Sequence, residues 1–128
     1  MESHSTPPTV VDLEQGFASF TDHFSPRIAA ELNGQMVKLV KFAAPFVWHS
    51  HADADEMFLV WRGRFRMEFR AGAVEVGPGQ FLVVPRGVEH RPVATAEVEL
   101  LLFEPAGTLN TGDAPESDRT VREPKRLE

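Results

Sequence analysis

The sequence predicts an all-β domain, an antiparallel sandwich or barrel. Short apolar runs with alternating polar residues recur through residues 26–113, and turns that contain Gly or Pro separate them. Strands at a spacing of about 8–12 residues with such turns are typical of antiparallel sheet proteins. The chain has 128 residues, 42% of them hydrophobic and 25% charged, which suits one domain with a single core.

The first 25 residues are predicted to be an extension of this domain, in part disordered. Residues 1–9 contain Ser, Thr, His and Pro and have little to bury, which is typical of a disordered leader. Asp12 can cap a short helix through Phe20, because Leu13, Phe17 and Phe20 then share one apolar stripe. A strand or an irregular segment would also bury these residues, and both alternatives stay open.

The strands follow from the period-two alternation of apolar side chains. The first two flank Asn33-Gly34, a strong signal for a tight hairpin, and another pair meets at Arg62-Gly63. In chain order we predict strands at 27–32, 35–42, 46–51, 56–61, 64–70, 73–76, 81–84, 88–93 and 97–103. After them, 105–113 should lie over the barrel and 114–128 should form a mobile tail.

Charge and composition argue against several classes of function. The formal net charge of -6 disfavours nucleic acid as a partner, since binding it requires phosphates to be neutralised. The absence of Cys rules out disulfides and zinc–thiolate sites. No apolar run approaches the length of a membrane span, and the N-terminus lacks the pattern of a signal peptide. We therefore expect a cytoplasmic protein without a membrane partner.

Three histidines and one glutamate form a candidate metal centre. His49 and His51 lie two residues apart in a predicted strand, so their side chains point to the same face. Glu56 follows shortly after them, and His90 comes from a distant segment. Imidazole nitrogens and a carboxylate are ligands that hold a first-row transition metal. Taken singly, each residue would be interpreted as a turn histidine or a surface carboxylate, because short motifs match by chance.

The two segments that carry these residues resemble the cupin superfamily. The first cupin motif has Gly, five residues, His-x-His, three or four residues, Glu, six residues and Gly, and it is matched by His49, His51, Glu56 and Gly63. The second has Gly, five residues, Pro-x-Gly, two residues, His, three residues and Asn, and it is matched by Gly79, Pro85, Gly87 and His90. Ala43 and Ala94 replace the first Gly and the final Asn, neither of which is a ligand position.

The resemblance spans residues 40–104 and implies a small single-barrel cupin, a jelly roll of the double-stranded β-helix type. It implies that His49, His51, Glu56 and His90 bind one divalent ion, with Fe, Mn, Ni, Co, Cu and Zn all open. It also implies a metal-dependent enzyme on a small organic molecule, of dioxygenase, isomerase or lyase type, with dioxygenase chemistry foremost. The alternative is a non-catalytic cupin that senses or binds a small molecule or sugar, since fold does not decide between them.

Alternation along the strand that begins at Glu56 predicts which side chains face the site. If Glu56 points inward, Phe58 and Val60 share its side, whereas Met57, Leu59 and Trp61 face outward. The aromatics nearest the ligands in sequence are expected to contact substrate; they are Phe46, Phe58 and Phe81.

The outward-facing stripe predicts a two-fold homodimer, because an exposed apolar stripe usually needs a partner. Alternatively, the segment with Phe17 and Phe20 covers the stripe within the chain. The remaining acid–base candidates have no motif spacing and are His23, Glu75, Arg86, Glu89 and Arg91.

Overall fold

The computed structural model describes residues 6–127 and contains strands almost throughout, preceded by a single short helix. The elements are α1 Leu13–Ala18, β1 Arg27–Leu32, β2 Gln35–Phe42, β3 Glu56–Arg62, β4 Phe65–Phe69, β5 Gly72–Val76, β6 Phe81–Val84, β7 His90–Val93, β8 Val98–Pro105 and β9 Lys125–Arg126. Residues 1–5, most of the predicted leader, and residue 128 lie outside the described residues. No helix within 6–127 is long and apolar enough to cross a membrane.

The strands form two sheets that pack face to face. One has the order β6-β3-β8-β2-β1-β9, and the other has the order β5-β4-β7. Strand pairs are antiparallel except for the short parallel pairing of β1 with β9. The core between the sheets includes Phe42, Phe58, Phe65 and Leu100. This arrangement confirms the predicted all-β jelly-roll fold.

One predicted strand is absent. Residues 46–51 form no strand, and a single bridge between His49 and His90 replaces it, with N–H···O distances of 3.1 and 2.9 Å. The amide of Phe46 donates to the carbonyl of Pro92 at 2.9 Å. Pro92 has no N–H with which to donate in return, so the strand pairing does not extend from the bridge toward Phe46. Eight other predicted strands occur with ends within two residues of the prediction.

The predicted helix is present and packs on the outer face of the larger sheet. Asp12 is its N-cap and accepts a hydrogen bond from the amide of Gln15 at 3.0 Å. Phe17 and Phe20 form a second apolar cluster with Leu39 of β2, joined by Leu101 and Leu127. Met57, Leu59 and Trp61 are not part of this cluster. The alternative in which the N-terminal aromatics cover the β3 stripe is therefore not what the fold adopts.

Alternation along β3 follows the prediction. Glu56, Phe58 and Val60 are buried between the sheets, whereas Met57 and Leu59 are half-buried and Trp61 is exposed. At the C-terminal end, β9 pairs with β1, and the amide of Leu127 donates to Ile28 at 2.8 Å. The mobility expected of residues 114–128 stays a prediction, as do the domain boundaries.

Candidate metal centre

The fold brings the four motif residues into one buried cluster. One candidate ligand atom from each of His49, His51, Glu56 and His90 lies within 4.8 Å of the others. Glu56 is the first residue of β3 and His90 the first of β7, so both lie where strands enter the barrel. His49 and His51 come from the irregular segment between β2 and β3, yet their ring centroids are 4.9 Å apart. In place of the missing strand, the backbone bridge between His49 and His90 holds these two histidines next to each other.

Two of the histidines are oriented by the backbone carbonyl two residues before each. His49 Nδ1 lies 2.9 Å from the carbonyl of Val47, and His90 Nδ1 lies 2.9 Å from that of Val88. A carbonyl can only accept, so each Nδ1 carries the proton and each Nε2 keeps a lone pair. Metal-bound histidines are commonly oriented in this manner. The Nε2 atoms are therefore the available ligand atoms.

Unsatisfied polar atoms mark the centre of the cluster. His51 Nε2, His90 Nε2 and Glu56 Oε1 are buried and have no hydrogen-bond partner among residues 6–127. Glu56 Oε1 lies 3.3 Å from His51 Nε2 and 3.8 Å from His90 Nε2. A buried polar atom without a partner costs about 1–3 kcal/mol, and a bound cation would satisfy all three. The donor set of three imidazoles and one carboxylate fits a first-row transition metal.

Electrostatics favour the ligating forms of His49 and Glu56. Burial, with a further contribution from the nearby His90, lowers the pKa of His49 from 6.5 to about 4. Burial opposes the ionisation of Glu56, but its polar interactions with Glu104, His51 and His90 outweigh this effect, and the pKa of Glu56 falls well below its usual range. A neutral imidazole and an ionised carboxylate are the forms that bind metal.

Loop contacts that the motifs do not reveal hold the two motif segments together. The amide of Gly87 donates to the carbonyl of His51 at 2.8 Å, and the amide of Arg86 donates to Asp55 Oδ1 at 2.9 Å. Ser50 donates its amide to Asp113 Oδ1 at 2.7 Å. The neighbouring position 112 requires glycine. Its φ is +52°, and a Cβ there would clash with the carbonyl oxygen of Ser50.

A cavity beside the cluster extends into the apolar interior. Its polar lining residues are His49, Glu56 and Asn110; its apolar lining residues are Phe24, Pro26, Val40, Phe42, Phe46, Phe58, Pro92, Leu100 and Leu102. Three aromatic residues were expected to contact substrate, and two of them, Phe46 and Phe58, line this cavity. Phe81 does not, because Leu82 and Val84 take the inward positions of β6 and leave Phe81 60% exposed on the outer face.

Sequence reasoning missed Phe24 and Asn110 of the cavity wall. Phe24 has a φ of 57°, unusual for a bulky residue, and its ring stacks on those of Phe42 and Phe46 at 5.3 Å each. Asn110 bonds the tail at the carbonyl of Arg119 and the amide of Val121. Neither residue belongs to a motif, so no local signal could have identified them. The acid–base candidates do not line the cavity; they are His23, Glu75, Arg86, Glu89 and Arg91.

Comparisons with known proteins agree with the fold. The family model described as "Cupin domain" matches residues 36–104. A cupin-2 domain containing protein from Shewanella frigidimarina is 42% identical in sequence, has a TM-score of 0.74, and is matched over 75% of this chain and 94% of its own. Protein NMB1881 from Neisseria meningitidis is 27% identical with a TM-score of 0.71, over 77% of this chain and 100% of its own.

A curated relative is matched over a shorter stretch. Uncharacterized protein YdbB from Bacillus subtilis (strain 168) is 33% identical over 63 residues, which are 48% of this chain and 56% of that protein. The match thus spans little more than half the length of that relative. None of these three names states a substrate or a reaction.

Proposed function

The chain belongs to the cupin domain family, and from that membership we propose that it is a metal-dependent enzyme for a small organic substrate. The ligands that we propose for one divalent transition-metal ion are His49, His51, Glu56 and His90. Fe, Mn, Ni, Co, Cu and Zn are all compatible with three imidazoles and one carboxylate. A bound ion of this kind supplies Lewis acidity or redox chemistry at its open coordination positions.

The observation that carries the proposal is the set of unsatisfied ligand atoms in the barrel. His51 Nε2, His90 Nε2 and Glu56 Oε1 converge in a buried site without hydrogen-bond partners among the described residues. Native proteins pair the great majority of their buried polar atoms, so three unpaired atoms in one cluster call for a ligand. The shifted pKa values of His49 and Glu56 favour a neutral imidazole and an ionised carboxylate, which are the forms that bind a metal.

The cavity indicates the shape of the substrate. Apart from His49, Glu56 and Asn110, its wall is aromatic or aliphatic. Both polar ends of the Asn110 amide already bond the C-terminal segment, so this side chain offers little to a ligand. We therefore propose a small molecule with an apolar body packed against Phe46 and Phe58, and with oxygen atoms directed at the ligand cluster.

Two measurements test the proposed function. Elemental analysis of protein purified without chelator should give about one equivalent of a transition metal per chain. Oxygen consumption and product analysis should then be followed with metal-loaded protein against diketones, flavonols, thiols and uronate sugars, with His51→Ala as the inactive control. Turnover that persists in His51→Ala would contradict the assignment.

A non-catalytic binding protein is the second candidate, and the composition of the cavity favours it. Apart from His49 and Glu56, which we propose as ligands, no acidic, basic or histidine side chain lines the cavity among the described residues. A binder needs no proton donor or acceptor, whereas most enzymes use one. Saturable binding of a panel compound with no product formed would favour this candidate.

We further propose that two chains associate through the outer face of the larger sheet. Phe81 and Val83 are 60% and 50% exposed there, next to half-buried Met57 and Leu59 on the neighbouring strand. An apolar surface of this kind is typical of an interface. Light scattering at micromolar concentration should give twice the chain mass, and Val83→Lys should shift the mass toward that of one chain.

A further inference from the structure

A buried lysine and a buried glutamate continue the ligand cluster into the barrel interior. The pairing of β3 with β8 aligns Met57 with Phe103, which places Glu56 opposite Glu104 on the inward face. The pairing of β2 with β8 aligns Met36 with Glu104, which places Lys38 diagonally beside it. Lys38, Glu104 and Glu56 therefore form a polar row across three neighbouring strands.

The contacts within this row are close. Lys38 Nζ lies 2.9 Å from Glu104 Oε1, and the two residues are only 2% and 1% exposed. Glu104 Oε2 has no hydrogen-bond partner among residues 6–127, and the strand register places Glu56 beside Glu104 on the neighbouring strand. Side chains opposite each other on paired strands lie close together, so a Glu104 side chain held by Lys38 restricts the orientations open to Glu56.

A buried ion pair is not explained by stability alone, since apolar residues of similar volume often serve a fold as well. Carboxylates that bind metals are usually held by further hydrogen bonds, and these partners tune the metal affinity. We propose that Glu104, anchored by Lys38, is a positioning residue that orients Glu56 toward the three histidines and thereby sets the affinity of the site for metal. This inference rests on the proposed metal site.

The same two strands contain a matched control pair. Lys41 and Glu99 face each other on β2 and β8, with Nζ 3.6 Å from Oε2 and side chains 9% and 12% exposed. They lie on the outer face, where Lys41 Nζ also donates to the carbonyl of Phe20 at 2.8 Å. A role in folding would apply to both pairs, whereas a role in orienting Glu56 applies to Lys38 and Glu104 alone.

The test measures Co²⁺ affinity and the visible spectrum of the Co²⁺-loaded protein in single variants. Glu104→Leu should raise the Kd by about 10–100-fold, the range typical of lost outer-shell partners, and should change the Co²⁺ bands because Glu56 is no longer held. Glu104→Gln should restore both values toward wild type, because it keeps the shape of the side chain and an oxygen that accepts from Lys38. Glu99→Leu should leave the Kd and the spectrum unchanged even where it lowers the melting temperature.

The outcomes separate this inference from the proposed function. Wild-type protein that binds no Co²⁺ would overturn both. Wild-type binding with unchanged affinity and spectrum in Glu104→Leu, or equal losses in Glu99→Leu, would overturn the positioning role alone. If Glu104→Leu does not fold, Lys38→Met decides, since it releases Glu104 from its anchor and should weaken Co²⁺ binding in the same direction.

Discussion

The inner and outer faces of the larger sheet bury polar side chains in different ways. On the outer face, Lys41 donates to the carbonyl of Phe20 and pairs with Glu99, whose unsatisfied Oε1 lies 3.8 Å from Arg62. Those polar groups face partners of opposite charge within the chain. On the inner face, two imidazole nitrogens and one carboxylate oxygen converge, and none of the three has a hydrogen-bond partner among residues 6–127. Ion pairs and hydrogen bonds within the chain therefore account for the polar groups of the outer face, whereas the arrangement on the inner face is the one that the proposed metal site requires.

The largest effect should come from removing one inner-face histidine. His51→Ala should abolish metal binding and, with it, the lowering of the melting temperature that a chelator causes in wild type, because a ligand bound only to the folded state stabilises it. Thermal melts with and without chelator measure this. His23→Ala is the control, since His23 pairs with Glu97 at the surface and should alter neither value. Full metal content in His51→Ala would contradict the proposal that the inner-face cluster binds the metal.

The complementary change lies on the outer face. Phe17 is fully buried against Leu39, and Phe17→Ala should lower the free energy of unfolding by about 3–5 kcal/mol through lost burial and a cavity. Metal affinity of the folded protein should stay at the wild-type value, because no residue of this cluster contacts the site. Urea unfolding and a metal titration on the same sample measure the two quantities. A loss of affinity in proportion to the loss of stability would show that the faces are not independent.

Acid should destabilise the metal-free protein through the inner face. The pKa of His49 falls from 6.5 to about 4 on folding, so below pH 6.5 the unfolded chain takes up a proton that the folded chain does not. Stability conferred by the neutral form is complete above pH 6.5 and is lost as the pH falls toward 4, up to about 3 kcal/mol. Glu56 acts in the same direction below its usual pKa, because its folded pKa is lowered.

Unfolding of chelator-treated protein between pH 7.5 and 4 measures this dependence. In His49→Gln, the unfolding free energy should change less with pH between 6.5 and 4 than it does in wild type. Metal should protect the wild type least in acid, since protons compete for the imidazoles. If the unfolding free energy of His49→Gln changes with pH as steeply as that of wild type, other groups cause the pH dependence.

The smallest predicted effect concerns the helix cap. Asp12→Ala removes the hydrogen bond to the amide of Gln15 and should cost about 1 kcal/mol of stability with no change in metal affinity. Asp12→Asn is the matched control, because Asn caps helices about as well as Asp. Chemical denaturation resolves the difference. Equal stability of Asp12→Ala and wild type would mean that α1 is held by Phe17 and Phe20 alone.

Local pattern was sufficient for most of the fold. Period-two alternation predicted which side of β3 carries Glu56, Phe58 and Val60, and the Asn33-Gly34 turn predicted the first hairpin. The resemblance to the two cupin motifs selected the four residues that the fold brings within 4.8 Å of one another. Alternation and turn type depend on neighbours in sequence, which is why sequence alone could determine the strands and the hairpin.

Contacts between distant segments were decided only by the tertiary structure. The pairing between His49 and His90 does not extend toward Phe46 because Pro92, far along the chain, cannot return a hydrogen bond. The inward positions of β6 belong to Leu82 and Val84, so Phe81 faces away from the cavity despite its place in the second motif. Glu104 and Lys38 belong to no motif, and only the register of three strands brings them to Glu56. Register joins residues far apart in sequence, and the period-two pattern is unchanged when a strand slides by two residues, so alternation cannot encode it.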